Sequence, residues 1–133
     1  MSTADPLFLT LDQALILHEE VLNQCGGEAG VLNQGLLESA VNAPQATYGG
    51  RFLNEYPFEM AAAYLLSFAR NHAFIDGNKR TAWAVANVFL LMNGYTVHFP
   101  SAQEAVTFVE NVATGSIKKQ AAAVVLKQYA NKA

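Results

Sequence analysis

A single cysteine, Cys25, stands in the whole sequence, so no disulfide can close within the chain and a reducing compartment is indicated. Cys25 itself reads as a small apolar residue at a helix end rather than as a nucleophile. Charge is scarce as well: Asp, Glu, Lys and Arg make up 14% of the residues, against about a quarter in an ordinary globular domain. The net charge is −3, and the basic residues are scattered except at Lys79-Arg80 and Lys118-Lys119. That leaves no electrostatic footprint for sequence-independent nucleic-acid binding, and no nucleic-acid partner is expected. The longest apolar segments, near 58–69 and 81–92, are interrupted and too short to span a bilayer. The first residues, Met1 to Pro6, have no basic region and no apolar run of the secretory kind. These absences predict a cytoplasmic protein without membrane contact. Repeats and low-complexity segments are missing too, and 133 residues suit one compact domain, 1–133.

What is present is helical periodicity with clear punctuation. Thr10 and Gln13 have the form of a capping box, after which Leu11, Leu15, Leu22 and Cys25 recur at helical spacing until Gly26-Gly27. His18 lies on that apolar stripe and reads as a core or partner-facing histidine satisfied by a hydrogen bond, outside any site. Asn33 can cap a short helix carrying Leu36, Leu37, Ala40 and Val41, which Pro44 closes. The following "PQATYGGRFLNEYP" is compatible with a hairpin or flap around Gly49-Gly50, and equally with a plain connecting loop, up to a helix that starts at Pro57.

"FEMAAAYLLSFAR" (58–70) and "TAWAVANVFLLM" (81–92) are apolar on nearly every side, as central buried helices are. Asn93-Gly94 ends the second of them. Tyr95 to Phe99 alternates as a short strand or extended connector does, with His98 exposed. Ser101 with Glu104 has the form of a second capping box for a helix ending near Gly115, and Ser116 is expected to cap a last helix. The predicted architecture is an all-α bundle of about six helices.

Between the two central helices stands "HAFIDGNKR", residues 72–80, which concentrates polar chemistry in an apolar neighbourhood. Phe74 is expected to anchor the loop in the core. Gly77-Asn78 immediately precedes a helix, whose unpaired N–H groups and positive dipole end favour an anion. Lys79 and Arg80 add cations suited to phosphate. Asp76 repels phosphate unless Mg²⁺ bridges the two. His72 is the group whose reference pKa of about 6.5 suits proton abstraction from a hydroxyl. The residues therefore fit phosphoryl or nucleotidyl transfer from a polyphosphate. They fit equally an ordinary solvated helix start, with Asp76 as its cap and His72 as a cation at a helix C-terminus. No Walker A pattern and no histidine pair at metal-ligand spacing is present.

"HAFIDGNKR" resembles the Fic-domain signature, histidine-x-phenylalanine-x-(aspartate or glutamate)-glycine-asparagine-x-arginine, in the lysine-bearing form of the Doc (death-on-curing) toxins. "GGEAGVLNQGLLESAVNAPQATYGG" is similar to the segment ahead of the Doc motif, and "TAWAVANVFLLMNG" to the helix after it, so the resemblance runs from about Leu11 to Gly115. It implies a single Fic/Doc-type helical domain, with His72 as general base, Asp76 as Mg²⁺ ligand, Gly77 and Asn78 as the anion hole, and Arg80 holding ATP phosphates. Lys79 stands where AMP-transferring Fic enzymes have glycine, and Trp83 where they usually have a further arginine.

The resemblance therefore implies ATP bound in the reversed sense, with its γ-phosphate towards the histidine. It implies the toxin of a type II toxin–antitoxin system: an Mg-ATP-dependent protein kinase that acts on a threonine of elongation factor Tu and arrests translation. AMP transfer to a protein hydroxyl, or a non-catalytic binding module for an antitoxin, are the alternatives. The self-inhibitory Fic motif is incomplete, since Val106 replaces its hydroxyl residue ahead of Glu110-Asn111. A Phd-type antitoxin, packing a C-terminal helix into a groove near the site, is implied instead.

Overall fold

The computed structural model describes residues 5–133, so part of the N-terminal stretch considered above as a leader lies outside the described residues. Six α-helices are seen: α1 (Leu11–Cys25), α2 (Gln34–Asn42), α3 (Phe58–Arg70), α4 (Asn78–Met92), α5 (Ala102–Thr114) and α6 (Lys119–Gln128). Their ends follow the local chemistry. At α1 both arms of the capping box form: Gln13 N–H donates to Thr10 Oγ1 at 3.1 Å, and Thr10 N–H to Gln13 Oε1 at 2.9 Å. Asn33 Oδ1 accepts the Leu36 N–H at 2.9 Å and opens α2, and Pro44 sits in a 3₁₀ turn that continues it. Gly94, at φ 96, turns the chain out of α4.

Two local expectations are corrected. Ser101 accepts the Glu104 N–H at 3.1 Å, but Glu104 Oε2 takes the Ser101 hydroxyl rather than the backbone N–H, so only half of a capping box forms. Ser116 does not cap α6: its hydroxyl meets Thr114 Oγ1 at 3.1 Å, and the cap position is Lys118, without a side-chain bond. Ile117 consequently lies ahead of the helix.

Helix α3 is the centre. It packs against α2, α4, α5 and α6, while α1 lies on α4 and α2. Eight of its residues are buried, from Met60 to Ala69, and they mesh with Val85, Phe89 and Leu90 of α4, Val112 of α5 and Leu126 of α6. Burying each large apolar side chain of this kind contributes about 1.5–3 kcal/mol before the entropic cost.

The open alternative between hairpin and loop resolves as a hairpin. β1 (Thr47–Tyr48) pairs antiparallel with β2 (Arg51–Phe52). Gly49 and Gly50, at φ 59 and 79, supply the turn that a right-twisted two-residue hairpin needs. β3 (Tyr95–Val97) pairs with β4 (Ala130–Lys132), a C-terminal strand that local patterning did not announce. No helix among the described residues is long and apolar enough to cross a membrane.

Candidate active site

The 72–80 segment is held between α3 and α4, and its geometry begins with Phe74. That ring is 1% exposed and packs in the core, and Phe74 forms an isolated antiparallel bridge with Val31. Leu32 N–H donates to Ala73 O at 2.8 Å and Ile75 N–H to Gly30 O at 3.1 Å, so the glycine-rich segment after α1 runs beside the loop as a short edge. Gly30, at φ 134, suits this position, since any L side chain would be strained there and its Cβ would also displace the Ile75 side-chain tip.

Asp76 is exposed at the turn, with one carboxylate oxygen fixed: Oδ2 accepts the Glu28 N–H at 2.7 Å. Gly77 follows in the left-handed region, φ 81 and ψ 17, and forms the cap of α4 without a side-chain hydrogen bond. The first intrahelical bond in this stretch runs from Thr81 N–H to Gly77 O at 2.9 Å. The N–H groups of Asn78, Lys79 and Arg80 thus lack intrahelical partners and point outwards at the positive end of a 15-residue helix. The Asn78 side chain is committed elsewhere, bonding both ways to the Phe74 main chain. Asn78 can therefore serve an anion hole only through its backbone N–H.

These groups open onto a cavity of about 830 Å³, which is within the size range of small-molecule sites. Asp76, Gly77, Asn78, Lys79 and Arg80 line it together. His72 does not line it. It is exposed at the start of the loop, two residues beyond the end of α3, with φ 49. Positive φ on a residue other than glycine costs about 1–3 kcal/mol and persists only where the surroundings impose it.

Three further walls, whose place in the cavity the sequence alone does not show, complete it: Gln24 and Cys25 from the end of α1, Trp83 from α4, and Val106 with Glu110 from α5. Trp83 stands edge-on to Phe99 at 5.5 Å and Phe108 at 6.3 Å, and forms an apolar wall at the position the resemblance marks by its missing arginine. The signal for the α1 end was the Gly26-Gly27 break, and for α5 it was the incomplete motif at Val106 and Glu110.

The residues fit a magnesium–nucleotide ligand. No group of three or more His, Cys, Asp or Glu side chains converges on a cation among the described residues, so a dedicated protein cage is absent. Mg²⁺ is ordinarily held by one or two carboxylates plus phosphates and water. Asp76, with one carboxylate oxygen committed and the other available, could hold such an ion.

Residues 8–90 match the Fic/DOC family. The chain is 56% identical over 71 residues to "Toxin Doc" of Mycolicibacterium smegmatis (strain ATCC 700084 / mc(2)155), a match spanning 52% of this chain and 53% of that protein. It is 32% identical over 117 residues to "Protein kinase doc" of Escherichia phage P1, spanning 88% of this chain and 90% of that protein. The chain spans about half the length of the first relative and nearly all of the second. With the lysine-bearing motif poised over an uncapped helix start, and with these matches over most of its length, the chain belongs to the Fic/DOC family.

Proposed function

We propose that this chain is a Doc-type toxin that phosphorylates a protein hydroxyl with Mg-ATP. The observation that carries the proposal is the single cavity wall on which the Asp76 carboxylate, the free N–H groups of α4, Lys79 and Arg80 converge. The names of the two relatives, a toxin and a protein kinase, support it.

In this reading the backbone N–H groups of Asn78 and Lys79, with the Arg80 guanidinium, bind phosphate oxygens. Mg²⁺ held by Asp76 supplies neutralisation of phosphate charge. Lys79 adds positive charge where a glycine would leave space, and favours the γ-phosphate towards His72. His72 is exposed and outside the cavity lining, accessible to a hydroxyl that a protein presents. It takes the hydroxyl proton as the oxygen bonds to the γ-phosphorus. The bond to the β–γ bridging oxygen breaks, and ADP leaves with the electron pair. The target in this proposal is a threonine of elongation factor Tu, with arrest of translation as the outcome. A Phd-like antitoxin would counter it by laying a helix along the apolar side of the same cavity, at Trp83, Ala105, Val106 and Val109.

Incubation of the full chain with Mg-ATP and a bacterial lysate, followed by intact-mass and peptide mass spectrometry, tests this. A phosphate adduct on a translation factor is expected. An adenylate adduct would replace the kinase reading by AMP transfer, and no adduct from freshly folded, antitoxin-free protein would leave a binding module.

A further inference from the structure

His18 lies outside the motif and outside the cavity lining, yet it contacts the loop at Phe74 and Asp76 and lies close to Gly77. It is 6% exposed. Its ring stacks on Phe74 with centroids 3.6 Å apart and an interplanar angle of 6°. Nε2 is 2.8 Å from the carbonyl oxygen of Asp76. A carbonyl only accepts, so Nε2 carries the proton and donates. Its Cδ2 lies 3.7 Å from where a Cβ on Gly77 would stand.

Asp76 is thereby held at both ends: its main chain by His18 of α1, and its carboxylate by the Glu28 N–H on Oδ2 at 2.7 Å. We propose that His18 is a positioning residue for the metal–nucleotide site, fixing the Asp76 main chain so that its free carboxylate oxygen faces the phosphates. The proposal rests on the reading that the site takes Mg-ATP. Any buried histidine needs a hydrogen-bond partner; what sets His18 apart is the partner it takes. The bond goes to the main chain of the one carboxylate in the motif; groups that hydrogen-bond a ligating side chain directly typically alter metal affinity about 10–100-fold when removed, and His18, one step further out, is placed at the low end of that range.

Two substitutions separate the contacts. His18→Phe keeps an aromatic ring against Phe74 and removes the donor; His18→Gln keeps an N–H of similar reach and removes the ring. Affinity of the full chain for the non-hydrolysable β,γ-imido analogue of ATP is measured by calorimetry, once with Mg²⁺ and once with EDTA, alongside the thermal unfolding midpoint. In His18→Phe the affinity with Mg²⁺ is expected to fall about tenfold, with the EDTA affinity, which Lys79, Arg80 and the helix N–H groups provide, little changed. His18→Gln should recover most of the loss even though its unfolding midpoint is lower.

The role of His18 is overturned if His18→Phe keeps wild-type affinity with Mg²⁺. It is equally overturned if both variants lose the two affinities in parallel with stability. If the wild type binds the analogue no better with Mg²⁺ than with EDTA, the metal–nucleotide reading itself fails and takes the proposal with it. That outcome differs from a Mg²⁺-dependent wild type with an unaffected variant, which removes His18 alone.

Discussion

Asn78 closes the motif loop onto Phe74: its Oδ1 accepts the Phe74 N–H at 3.0 Å, and its Nδ2 donates to the Phe74 carbonyl at 2.9 Å. Because Asn78 is also the first residue of α4, one side chain sets the loop's curvature and the position of the helix start together. Asn78→Ala leaves both main-chain groups of a buried residue without these partners. A destabilisation of about 1–3 kcal/mol is expected, read from the urea midpoint, together with weakened nucleotide binding although the lost amide touches no phosphate.

His72→Ala separates chemistry from stability. Its side chain is exposed, so the unfolding midpoint should remain close to wild type, while removal of a general base lowers transfer by about 10²–10⁴-fold. His72→Gly, which accepts φ 49 without strain, should be no less stable than the wild type in the loop and equally inactive. Adduct formation by mass spectrometry checks the first point and thermal unfolding the second. Growth arrest that survives His72→Ala would remove His72 from the role of base.

Lys79→Gly tests how ATP lies. Lys79 is exposed on the cavity wall, so the change removes charge and bulk without disturbing the core. Product mass is expected to shift from phosphate towards AMP. An unaltered product would take Lys79 out of the specificity argument.

Gly27→Ala probes the strap beside the motif. At φ 121 the added Cβ would stand 3.0 Å from Leu22 Cδ2 and 3.2 Å from Asp76 Cβ, so either Asp76 or the strap must move. The Mg²⁺ concentration for half-maximal transfer should rise several-fold. Gly49→Ala is strained in the same left-handed sense but meets no atom within 4 Å, and should leave that concentration unchanged.

Tyr64 gives an alkaline signature unrelated to the site. Its buried hydroxyl accepts the Leu9 N–H at 3.0 Å, and burial pushes its pKa from 10.0 up to about 12. Between those values the unfolded tyrosine releases its proton while the folded one keeps it, so this contribution is complete below pH 10 and is lost as pH rises towards 12. Tyr64→Phe is expected to be less stable at neutral pH, because Leu9 N–H loses its acceptor. Its stability should also fall less steeply across the alkaline window, as measured by urea unfolding at successive pH values.

The features legible in the chain were those closed within about four residues. Thr10 with Gln13 and Asn33 with Leu36 form the caps that their spacing announces, and Gly77 before Lys79-Arg80 marks an anion-receptive helix start. Where the same reasoning failed, a competing contact of similar range won: the Ser116 hydroxyl turned to Thr114, and Glu104 took the Ser101 hydroxyl instead of its N–H. β4 was not legible because Ala130 to Lys132 become a strand only by pairing with Val97 to Tyr95.

By itself the sequence determined the six helices, most of their ends, and the nine residues of the candidate site, since propensity, capping and periodicity act locally. Only the tertiary structure decided how the motif is held and what surrounds it. The bonds to Asp76 come from residues 58 and 48 positions away, at His18 and Glu28, and the far wall comes from Val106 and Glu110 of α5. It also left His72 outside the cavity that its motif neighbours line. Such placements depend on how whole helices pack around α3, and no local run of residues encodes that.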